Sequence, residues 1–165
     1  MDLGLVWSAN VAESRPMREI ERILDQLNRS WGGPSWTGVD IQPLLDGISE
    51  EQARAHPLPN AHSILELTAH MTTWMNAVSD RLGGSTRELT DAEDWRDVTS
   101  LAWPNAITEM ENAHSRLSDV IARLTPDDLD KKVAGRKYTI YVMLHGVIQH
   151  NLYHAGQIGL LKKMA

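Results

Sequence analysis

A chain of 165 residues has the size of one domain and can bury a core without disulfide or metal staples. With 42% hydrophobic and 23% charged residues it reads as an ordinary globular protein. Its net charge of −6 argues against nucleic-acid binding and against docking on an anionic membrane, both of which need clustered Lys and Arg. No cysteine is present. Disulfides and protein thiols are therefore excluded, and any metal site must use His, Asp, Glu or backbone oxygens.

The first residues, MDLGLVWSANVAESR, carry no basic region followed by a long apolar stretch. Nor does any other segment have the ~18 consecutive apolar residues of a membrane span. The expectation is an unprocessed cytoplasmic protein forming a single domain over residues 1–165, with 1–15 a poorly ordered extension.

Four segments then show helical periodicity. In the first, Met17, Ile20, Leu24, Leu27 and Trp31 recur at spacings of three and four, with Pro16 placed as a first helical residue and Gly32-Gly33-Pro34 as a stop. The stretch from Gly32 to His62 is rich in loop residues. It holds a helical turn at Ile41–Leu45 and a capping box, Ser49 to Gln52, that opens another short helix. A connection this long in a compact bundle is a candidate cover for a site. The second helix opens on the Ser63/Glu66 capping box, carries Leu67, Met71, Trp74, Val78 and Leu82 on its apolar face, and stops at Gly83-Gly84. The third begins near Pro104 with Ile107, Met110, Leu117, Ile121 and Leu124. After a short acidic turn at Thr125-Pro126, the fourth runs from Thr139 to Lys163. No strand stands out. Four amphipathic helices of this length imply an all-α four-helix bundle.

Histidines interrupt these stripes. On the fourth helix the inward series reads Met143, Val147, His150, His154, Ile158, Leu161. His150 and His154 are four residues apart, so their rings lie on one side, one turn apart, where two imidazoles can share an ion. Taken alone, such a pair reads first as two hydrogen-bonded or surface histidines. His70, in the inward stripe of the second helix between Leu67 and Trp74, changes the weighing. One histidine from one helix and two from another make a three-ligand set that leaves coordination positions open, the pattern of catalytic metal sites. His114 also falls in an inward stripe, where it reads as a ligand, a partner of one, or a core-edge histidine with a satisfied ring. His62 reads as a loop residue near the mouth of the bundle, His145 as facing another surface, and His56 as solvent exposed.

The segments HSILELTAHMTTW, from His62 to Trp74, and YVMLHGVIQHNLYHAGQIGLLKK, from Tyr141 to Lys163, resemble the second-helix and last-helix motifs of the DinB/YfiT-like family. Trp36 to Pro57 and the tripeptide Glu93-Asp94-Trp95 match more weakly. The resemblance implies an up-down-down-up bundle with one divalent metal ion at one end of the core, held at the positions of His70, His150 and His154. Some thiol-dependent relatives carry Glu where this chain has His150. It also implies a homodimer, and either a transferase acting with a low-molecular-weight thiol or a metal-dependent hydrolase. A non-catalytic metal-binding stress protein is the third reading. Because the chain has no cysteine, a thiol would have to come from a cosubstrate. Zinc is the default ion, and nickel and iron suit imidazole nearly as well. The identity of any catalytic base and of the substrate is not legible.

Overall fold

The computed structural model describes residues 18–164; the expectations for residues 1–15, Pro16 and Met17 lie outside them. Among the described residues the elements are α1 (Glu19–Gly32), α2 (Ile41–Leu45), α3 (Glu50–Arg54), α4 (Ile64–Leu82), α5 (Asp91–Asp94), α6 (Trp103–Ala122), a 3-10 turn (Pro126–Asp128) and α7 (Ile140–Lys162). The one β-type pairing among the described residues is an isolated bridge between Lys132 and Thr139.

The long helices α1, α4, α6 and α7 form an up-down-down-up four-helix bundle. α4 packs on α6 and α7, and α1 on the same two, so α1 and α4 are diagonal. α4 and α7 run antiparallel: His70 lies against His150, while farther along α4 Val78 and Arg81 share a cavity with Met143 and Val142. The core draws on all four stripes, through Ile23 and Leu27, Met71 and Met75, Met110 and Leu117, and Leu144 and Ile158.

Local chemistry sets the ends. The Ser63 hydroxyl accepts from the Glu66 N–H at 3.2 Å, and the Glu66 carboxylate accepts from the Ser63 N–H at 2.7 Å. At the other end of α4 the chain leaves through Gly84, whose φ of 93° is the left-handed conformation a side chain would oppose. Lys162 donates to the carbonyls of Leu44 and Asp46 at 2.8 and 2.7 Å, which ties α2 to the end of α7.

Two expectations change. The third helix, expected to begin near Pro104, starts one residue earlier, at Trp103. Trp103 opens α6, is 4% exposed, and its N–H is capped by Glu50 of α3 at 2.7 Å. On α1 the buried positions are Ile20, Ile23, Leu27 and Ser30, with Leu24 and Trp31 only partly covered. That buried face packs against both α6 and α7.

Candidate metal centre

The second turn of α4 and the middle of α7 bring His70, His150 and His154 together. The Nε2 atoms of His70 and His150 are 3.0 Å apart, those of His150 and His154 3.1 Å, and one ligand atom from each ring lies within 4.8 Å of the others. Ligands held by zinc at roughly 2.0–2.1 Å are separated by about 2.9 to 3.4 Å, from right-angle to tetrahedral geometry.

The outer nitrogens decide what the inner ones offer. His70 Nδ1 faces two acceptors, the Asp94 carbonyl at 2.9 Å and the Asp94 carboxylate at 3.0 Å, so it carries the proton. His154 Nδ1 donates to Gln157 Oε1 at 2.6 Å. Both rings, when neutral, therefore present a bare Nε2 lone pair toward His150. His150 Nε2 has room for one proton or one lone pair. It can satisfy one neighbour and never both. Hydrogen bonding within the cluster leaves at least one buried lone pair unmatched, and a cation at the centre satisfies all three. The residues present thus fit a divalent ion.

The surroundings favour neutral rings. Burial is the main cause that pushes His150 down to about 4, reinforced by His154 and His70. Burial lowers His154 as well, partly offset by its bond to Gln157. Neutral imidazole is the form that binds metal.

The sequence profile of the DinB superfamily matches residues 35–158. The chain belongs to that superfamily. No curated protein and no solved structure is significantly similar to it.

In this DinB-like bundle the connection from α4 to α6 dresses the site. The short helix α5 ends at Asp94, whose carboxylate receives both the His70 ring and the Trp74 indole N–H, the latter at 2.6 Å. Trp95 stacks on His70 at 3.9 Å between ring centres and on His62 at 3.5 Å. The earlier connection, residues 33–63, contributes His62 to this stack, while its short helices pack on the bundle as α2 on α1 and α7 and α3 on α4. The main cover is therefore the second connection rather than the first.

The other histidines lie apart from the triad. His114 is buried and stacks on Trp31 at 4.6 Å. Its ring bonds the Leu27 carbonyl, but among the described residues its Nε2 has no partner, so the ring is only half satisfied. His145 packs against Tyr141, and exposed His56 lies 3.0 Å from Glu66. Neither Asp94 nor Gln157 stood out in the sequence as a partner of these histidines. Gln157 had a local signal, three residues after His154 on the same helix face. Asp94 lies 24 residues from His70 and had no local signal, only its place in the weakly matching tripeptide Glu93-Asp94-Trp95.

Proposed function

We propose that His70, His150 and His154 hold one divalent ion, zinc by default, and that the protein is a metal-dependent transferase acting with a low-molecular-weight thiol cosubstrate. The convergence of three Nε2 atoms that cannot satisfy one another carries this reading. When bound, the ion supplies a positive charge that acidifies a thiol or water placed beside it. The protein's own residues do the rest. Asp94 fixes the His70 tautomer and ring plane, Gln157 does the same for His154, and Trp95 shields one face of His70 from solvent.

The carboxylates near the site favour the thiol over water as nucleophile. Asp94 is engaged by His70 and Trp74, and Glu66 by the α4 cap and His56, so neither stands ready as a general base. A thiol acidified by charge alone needs none. His62, stacked on Trp95 at the mouth, is the nearby titratable group that a metal-dependent hydrolase could use as a base.

The test is turnover by zinc-loaded protein of 1-chloro-2,4-dinitrobenzene with a small thiol, beside 4-nitrophenyl acetate without one. Thiol-dependent turnover that His70→Ala abolishes supports the transferase. Ester hydrolysis alone supports the hydrolase, and inactivity in both panels supports a non-catalytic metal protein. We also place the chain in the cytoplasm as a homodimer, with the fully exposed Trp36 as a contact residue. Sedimentation at micromolar concentration showing only an 18.5 kDa species would refute the dimer.

A further inference from the structure

Trp74, Val78 and Arg81 follow at spacings of four and three, so a cation shares a face of α4 with apolar residues. Arg81 is 7% exposed, and among the described residues its buried Nε has no hydrogen-bond partner and its guanidinium no ion pair. The contact made by its guanidinium is with the Trp74 ring, 5.3 Å from the ring centre. The nearby carboxylates are engaged elsewhere, Asp80 with Arg116 and Glu93 with Arg87. A buried charge without a counter-charge is costly, and proteins ordinarily pair it.

Arg81 borders a cavity of about 310 Å³ between α4 and α7. Trp74, Val78, Met143 and Val147 wall it; His150 stands toward one end and Arg81 toward the other. Its size is at the lower end for small-molecule sites, and its apolar walls with a polar group at each end match how such sites orient a ligand. The Trp74 ring neighbours both groups, 5.3 Å from the guanidinium and 5.8 Å from the His150 ring.

We infer that this cavity binds a small organic carboxylate, with its apolar body against the walls, its carboxylate on Arg81 and its opposite end at His150. The guanidinium fork matches a carboxylate in two parallel hydrogen bonds. Naming this molecule as the electrophilic substrate rests on the transferase reading; its binding does not need the ion.

The probes are 4-phenylbutanoate and 4-phenylbutan-1-ol, which share a frame and differ in charge. Calorimetry is run on the full chain with zinc and after chelation. The carboxylate is expected to bind at least about tenfold more tightly than the alcohol in both forms, as a charge-assisted bond allows. Arg81→Met is expected to erase that preference while melting no lower than wild type, because it removes an uncompensated charge. If Arg81→Met does not melt cooperatively, Arg81→Lys decides, since it keeps the charge and loses the fork; its preference should shrink, and an undiminished one overturns the proposal. Equal affinities in wild type, or a preference that survives Arg81→Met, also overturn it. So does a preference that disappears on chelation, because the anion then sits on the ion. Failure of the metal reading looks different: no ion in elemental analysis, with the carboxylate preference intact.

Discussion

Two regions of this bundle bury histidine in an apolar stripe. Between α4 and α7, three rings converge, with Nδ1 of His70 and of His154 tied outward and Nε2 of all three turned inward. Between α1 and α6, His114 stacks on Trp31, one nitrogen bonded to Leu27 and the other without a partner among the described residues. Burial depresses the pKa of His114 and of His150 alike, to about 4. Burial and a lowered pKa therefore do not mark a ligand. Convergence of lone pairs, with acceptors fixing the outer nitrogens, is what separates the two regions.

The sharpest way to break this comparison is to delete each histidine in turn. Wild type is expected to carry one divalent ion per chain by elemental analysis. His70→Ala, His150→Ala and His154→Ala should each lose most of it, while His114→Ala keeps it in full. Retention in all three triad variants would remove the distinction. One step out from the ligands, Asp94→Asn should weaken metal affinity by roughly 10- to 100-fold without abolishing binding. Competition with a chelator measures this, and unchanged affinity would mean that the Asp94 contact does not support the site.

Removing the ion probes the same contrast on the scale of the fold. The core spans all four long helices and does not depend on the triad. Chelated protein should keep its helical circular dichroism and a cooperative melt. An ion at a thousandfold excess over its Kd stabilises the native state by about 4 kcal/mol, so the melt should move down on chelation and return with metal. Outright unfolding would make the ion a structural staple.

The smallest effect is in acid. An unfolded histidine titrates near 6.5, and His114 in the folded protein near 4. Between these values the unfolded chain binds the extra proton, so stability is fully present above about 6.5 and falls as pH drops toward 4. In metal-free protein His150 adds a contribution of the same sign, and His154 also titrates below its ordinary value. His114→Leu should flatten the decline of the melting point over this window and leave metal binding untouched. A decline as steep as in wild type would place the acid sensitivity elsewhere.

Much of this was legible in the sequence because it is local. The α4 capping box, the Ile41–Leu45 turn and the three-and-four spacing of Met143, Val147, Ile158 and Leu161 follow from neighbouring residues, and each appears in the structure. The three histidines that meet were the ones placed on inward faces of the second and last helices. What escaped depends on how distant segments meet. Trp103 fell outside the helix expected from near Pro104 because nothing beside it in the chain shows that Glu50 caps that helix. Asp94 and Trp95 reach His70 through the path of the α4–α6 connection, which no periodicity encodes. Arg81 was not singled out in the sequence, because its burial without an ion pair among the described residues is a property of the packed bundle.

The central claim is that three imidazoles share one ion. X-ray absorption on zinc-loaded protein tests it most directly, because the fine structure counts imidazole ligands. Three histidine nitrogens at roughly 2.0–2.1 Å are expected in wild type, with two in any residual complex of His150→Ala and three in His114→Ala. A shell of oxygen alone, or a spectrum that His150→Ala leaves unchanged, would contradict it.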